Sequence, residues 1–220
     1  MVSSRLTLAS VLLLLGCCLG QEIGQRTNPR VAFLPVWSVL RRAHLSGSLV
    51  YSGICDFHKS PQDFPRLRMA SHSGSPVEVL REMFADNPKM RIIQDSDGKI
   101  RMVETDTPTD ILEVKIRHLS FPDGPVSHGP RMALRAILMT PEVIAFRRAH
   151  GIGPLDELRG GGSFAILPGD SSSGPIVSGE LDDVTVAQAL DYVLRTFPGF
   201  WFYESCQDPA GTRAVVFNFF

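Results

Sequence analysis

Apolar residues twice recur at helical spacing behind a polar cap. Ser75-Pro76-Val77-Glu78 precedes Val79, Leu80, Met83 and Phe84, and Thr185-Val186-Ala187-Gln188 precedes Ala189, Leu190, Val193 and Leu194. A hydroxyl residue followed three positions later by Glu or Gln is a capping box, in which two side chains satisfy the free amides at a helix start. Pro76 stands at the first helical position, where its missing N–H costs nothing. Each pattern predicts an amphipathic helix that stops before Pro88 or Pro198, because the residue before proline avoids helical angles. Behind each helix two strands are expected in succession. Residues 90–94 lead through Asp95-Ser96-Asp97-Gly98 into 99–104, and 200–204 lead through 207–211 into 213–219. Both read as hairpins. Further strands are expected at 67–70, 176–180 and 111–121, where Leu112, Val114 and Ile116 alternate with Glu113, Lys115 and Arg117. A helix is expected over 132–139, restarting at Thr140-Pro141 and ending at Gly151.

These patterns repeat as a set. The segment from Pro35 to His44 can be laid on the one from Pro141 to His150, and both end in Arg-Arg-Ala-His. Farther on, Pro65 matches Pro175, Ser75 matches Thr185, Leu80 matches Leu190, and Pro88 matches Pro198. The chain therefore reads as a duplicated unit over 35–104 and 141–217, each copy an introductory helix followed by a βαββ module. The expected fold class is α+β, with two related small modules after an N-terminal signal peptide. The expected boundaries are a signal at 1–20, a linker at 21–34, a first module at 35–121, a linker at 122–130 and a second module at 131–220. Pro122-Asp123-Gly124-Pro125 through Gly129-Pro130 has a linker's composition.

The apolar run Leu6–Gly16 carries no charge and suits a signal-peptide core, being shorter than the about 20 residues of a membrane span. Cleavage after Gly20 is one route. Leu14-Leu15-Gly16-Cys17 also resembles a lipoprotein signal, which would make Cys17 a lipidated first residue. Export places Cys55 and Cys206 where a disulfide is permitted; two buried free thiols are the other reading. The expected location is exported: periplasmic or envelope-associated, with membrane contact only through the candidate lipid anchor. Composition adds an exclusion. With 220 residues, 44% of them hydrophobic, 20% charged and a net charge of −1, the chain has no basic footprint for nucleic acid.

The string Val184-Thr185-Val186-Ala187-Gln188-Ala189-Leu190-Asp191-Tyr192-Val193-Leu194 resembles the secretin and TonB short N-terminal module, best over 176–220 and more loosely over 65–104. Such modules have a strand, an Ala-Leu helix, an apolar strand and a closing hairpin. The resemblance implies a non-catalytic protein-interaction module of the bacterial cell envelope, accessory to a secretin, pilus or TonB-type system. Its partner would be another envelope protein, and it brings no catalytic residues. The alternative is a small exported enzyme or ligand-binding protein with its site between the modules.

Candidate chemistry narrows little further. Asp95, Asp97, Gly98 and Glu104 fall on calcium-loop positions, but Ile93 stands where the first ligand belongs and the flanks read as strands. Cys55 and His58 lack a second matching pair for zinc. Gly169-Asp170-Ser171-Ser172-Ser173-Gly174-Pro175 echoes a serine-protease loop but carries an inserted residue, Ala149-His150 lacks the surroundings of a catalytic base, and no nucleotide-binding or hydrolase motif occurs. No catalytic residue, metal ligand or cofactor is therefore assigned. Arg41, Arg42, Arg147 and Arg148 are the most specific polar feature. Cations at a helix C-terminus complement its dipole, and they also suit an anion or a docking partner.

Overall fold

A computed structural model describes residues 29–54, 64–70, 73–121, 129–153, 176–207 and 211–220. The elements run α1 (Pro29–Arg42), β1 (Gly47–Ile54), α2 (Pro76–Met83), β2 (Met90–Gln94), β3 (Ile100–Glu104), a 3-10 turn (Asp110–Glu113) and β4 (Lys115–Phe121). They continue with α3 (Pro130–Leu138), α4 (Pro141–Ala149), β5 (Gly179–Thr185), α5 (Val186–Thr196), β6 (Phe200–Gln207) and β7 (Arg213–Phe219). The class is α+β, with a mixed five-stranded sheet ordered β2-β3-β1-β6-β7 and a separate β4-β5 ribbon.

Side-chain alternation explains the layering. Leu49 and Tyr51 of β1, Ile100 and Met102 of β3, and Phe200 and Phe202 of β6 point to one face, where Phe33, Val36 and Leu40 of α1 and Leu80 and Met83 of α2 cover them. Val50, Trp201, Tyr203, Val215, Phe217 and Phe219 point to the other, under α3, α5 and the ribbon. Strand β6 is buried on both faces along its length except at Gln207. That is why Phe200-Trp201-Phe202-Tyr203 reads as an unbroken apolar run rather than an alternation.

Both capping boxes form. The Ser75 and Thr185 side chains accept from the Glu78 and Gln188 amides, and Glu78 and Gln188 reach back to the cap amides. Both hairpins form too, and Gly98 takes the positive φ of +80° that its turn requires.

Each repeated span holds helix, strand, helix and hairpin in that order, but the strands differ in place. Strand β1 lies at the sheet centre, parallel to both β3 and β6, so the two hairpins share one sheet. Strand β5 instead pairs antiparallel with β4. Polar contacts also tie the spans together: Asp191 on α5 accepts both guanidinium nitrogens of Arg101 on β3 and the Trp201 indole on β6.

Three strand expectations shift. The first span's strand is β1, not 67–70, where the chain is irregular and bonds the end of α2 through the Arg68 amide to the Met83 carbonyl. The strand expected at 176–180 begins at Gly179 and runs on to Thr185. Residues 111–121 split because Ile111 and Leu112 are adjacent and both buried, which a strand facing one core does not allow and a 3-10 turn does. The signal segment, its Cys17, the linker residues 122–128 and residues 154–175 lie outside the described residues. Among the described residues no helix is long and apolar enough to cross a membrane.

The sheet edges carry blocking features. Arg81 donates to the Ile92 carbonyl on β2, and the Gly153 amide donates to the Arg213 carbonyl on β7. Asp183 on β5 has a positive φ of +50° that interrupts the extended edge. Such devices discourage strand addition.

Candidate functional site

Among the helices of the described residues, α4 buries the fewest side chains. Thr140 precedes it in extended conformation with its hydroxyl turned back to the Ile137 carbonyl, and Pro141 opens the first turn. Val143 alone of its residues is buried. Gly151, at a positive φ of +59°, ends it, with the Ile152 amide bonded to the Arg147 carbonyl. With Val143 in the core, the 3.6-residue period sends Glu142, Ala145, Phe146 and Ala149 to one flank and Ile144, Arg147 and Arg148 to the other.

Each flank borders a depression. Between α4 and the 3-10 turn lies an open trough of 540 Å³ with Val114, Ala145, Phe146 and Ala149 on its floor and Asp110, Glu113, Glu142 and His150 at its rim. On the opposite flank a depression of 280 Å³ has Met139, Ile144 and Ile152 as its apolar part and Arg147 and Arg148 at its rim. Met139 is 53% exposed.

Two of the trough's carboxylates are held in place by arginines. Glu142 accepts from Arg117 at 2.8 Å, and this bond, with its own and Arg117's backbone amides, keeps its carboxyl below the usual range. Asp110 is lowered first by its paired bonds from Arg213, which is itself anchored to the Tyr203 hydroxyl and the Pro108 carbonyl. His150 stacks on Phe146 with ring centroids 3.9 Å apart, and its Nδ1 lies 2.9 Å from the Phe146 carbonyl, so that nitrogen donates. Among the described residues no hydroxyl or thiol lines the trough. Glu142 and Asp110, each held by an arginine beside an apolar floor, suit a binding surface.

The four arginines singled out in the sequence do not converge. Arg41 stacks over Trp37 at 4.7 Å, and Arg42 donates to the Ser38 carbonyl one turn back. Both sit on α1, which covers the sheet face opposite to the one beneath α4. Arg147 donates to the Gly153 carbonyl at 2.6 Å, whereas Arg148 is exposed beside Met139 and Ile144. Cys206 is disulfide-bonded and buried; Cys55 lies outside the described residues. Among the described residues no three His, Cys, Asp or Glu side chains form a group that could hold a metal ion.

Sequence reasoning passed over Asp110, Glu113, Glu142 and Phe146. The available signal was the composition of α4: after Val143, its flanks offer Ala145 and Ala149 where a core-facing helix would carry larger apolar residues.

No protein-family model, curated protein or solved structure matches the chain.

Proposed function

We propose that this protein is an exported, non-catalytic interaction module of the bacterial cell envelope, accessory to a secretin, pilus or TonB-type system, and that α4 with its two flanking depressions is its docking surface. The observation that carries the reading is the ridge itself: a helix with one buried residue, apolar hollows on both sides and charged rims, in which Glu142, Asp110 and Arg147 are held by their own partners. The blocked sheet edges turn attention from strand addition to this helix. The resemblance of 176–220 to the short N-terminal module supplies the envelope setting. Export is supported by the disulfide at Cys206, since such bonds persist in oxidising compartments. Cys55 follows the last residue of β1, where Gly53 is the register partner of Cys206, and is the half-cystine we assign to it.

Mass spectrometry of the protein purified from fractionated native cells tests the reading. The expected species is in the envelope fraction. It begins at Gln21 or carries lipid on Cys17, and Cys55 and Cys206 resist alkylation until reduced. An unprocessed chain in the cytosol, with Cys206 alkylated without reduction, would overturn it.

A further inference from the structure

Helix α1 has two unlike sides. Phe33, Val36 and Leu40 lie wholly in the core. Leu34, Ser38 and Arg41, spaced i, i+4, i+7, fall on the opposite side, with Trp37 beside them. Leu34 is 56% exposed, Arg41 and Arg42 are exposed, and Trp37 is half-buried, packed by one side against the core. Arg41 stacks over the Trp37 ring and Arg42 donates to the Ser38 carbonyl, and neither pairs with a carboxylate among the described residues. The charge here is one-sided. Between Glu22 and Asp56 the sequence carries four arginines and no acidic residue, in a chain whose net charge is −1. On the neighbouring α2 and its flank, exposed Glu78, Glu82 and Asp86 are matched by Arg66, Arg68 and Arg81, so the surplus stays with α1. A solvated helix face ordinarily mixes both signs. The helix dipole favours arginines in the last turn, but it gives no reason for Leu34 and Trp37 in the same stripe.

Resting on the reading that the chain is exported, though not on α4, we propose that this outer face of α1 lies against a membrane surface of anionic phospholipid. Leu34 enters the acyl boundary, the Trp37 ring sits at headgroup level, and Arg41 and Arg42 pair with lipid phosphates. The stacking of Arg41 on Trp37 keeps the charge at the headgroups while the ring beneath it goes deeper. The face also lies at the fitting end of the chain. The candidate lipid-bearing Cys17 stands twelve residues before Pro29, a reach of at most about 40 Å, so both contacts can meet one surface. A single acyl chain holds a protein only reversibly, and a basic patch is the second attachment that makes it stay. The face is one helix wide, so its own binding is weak and loosens with salt.

Tryptophan fluorescence and vesicle flotation test this on the processed, disulfide-bonded chain beginning at Gln21, so that neither signal nor lipid contributes. The protein has two tryptophans and Trp201 is 2% exposed, so a change on adding vesicles reports Trp37. Vesicles of phosphatidylcholine mixed with phosphatidylglycerol are expected to carry the protein and shift its emission to shorter wavelength, and vesicles of phosphatidylcholine alone are not. Arg41→Gln with Arg42→Gln is expected to weaken partitioning by about twentyfold. Leu34→Ser should weaken it by about fivefold. Circular dichroism melts identical to wild type show that these exposed substitutions leave the fold intact. Equal partitioning into both kinds of vesicle, or none into the anionic ones, overturns the proposal, and so does undiminished binding of the arginine double variant. If vesicles leave the emission unmoved while poly-glutamate shifts it, the face serves an acidic protein and the membrane proposal falls. An unprocessed cytosolic chain overturns the functional reading on its own; a processed chain indifferent to anionic vesicles overturns this proposal alone.

Discussion

Replacing Asp191 by alanine should be among the most damaging single changes in the protein. This carboxylate accepts the Trp201 indole N–H at 2.9 Å and both guanidinium nitrogens of Arg101, at 2.8 and 2.5 Å. Trp201 is 2% exposed, so its orphaned N–H would have no water to turn to, a loss of about 1–3 kcal/mol. Arg101 keeps Asp95 at 2.8 Å and is 20% exposed, so its share falls below the about 3–5 kcal/mol of a fully buried broken pair. We expect a total near 3 kcal/mol, a large part of the about 5–15 kcal/mol of a typical domain. Urea unfolding with an unchanged slope would register it. In an Arg101→Met background the same change should cost only the indole's part, leaving a coupling of about 1–2 kcal/mol. A cost under about 0.5 kcal/mol, or an equal cost in both backgrounds, would refute the view that this network binds the two repeated spans into one body.

His118 offers a pH-dependent test. Its bond to Asp182 at 2.8 Å raises its pKa above the ordinary value, with Asp182 and Glu180 charges adding and solvent loss opposing. Its contribution to stability is therefore present in full below the unfolded-state pKa and is lost as pH rises through the folded one. Proton NMR titration should show a raised midpoint that returns toward about 6.5 in Asp182→Asn; a midpoint unmoved by that change contradicts the pairing. Gly199→Ala would drive a methyl to within 1.8 Å of the Phe220 carbonyl oxygen, inside the ladder that closes β6 on β7. A loss of about 2–4 kcal/mol is expected in thermal or urea melts. Gly151→Ala, with open space around it but a φ of +59°, should lose about 1–2 kcal/mol, and the reverse order of the two would count against the packing described.

Local chemistry was legible and long-range placement was not. The two capping boxes, the Asp95–Gly98 turn and the hairpin of β6 and β7 follow from residues within a few positions of one another, and all stand where the pattern puts them. Strand β1 escaped notice because Gly47-Ser48-Leu49-Val50-Tyr51-Ser52-Gly53 has a short apolar centre and no turn pair beside it. Its role comes from neighbours some fifty and a hundred and fifty residues away, which no local pattern encodes. The matching Arg-Arg-Ala-His strings show the same limit: both end helices, yet one lies beside Trp37 and the other beside an open hollow. The trough is assembled from Asp110, Glu113 and Val114 of one segment and the flank of α4, so its acidic rim is a product of the fold.

That α4 is where this protein is gripped by another can be read out in the native cell with a photo-crosslinking amino acid at Ala149, on the trough floor, and at Met69, which is 99% exposed and distant in the sequence. Covalent protein adducts in the envelope fraction from position 149, and few from 69, are the predicted result. Adducts absent at 149, or formed equally at both positions, would contradict it.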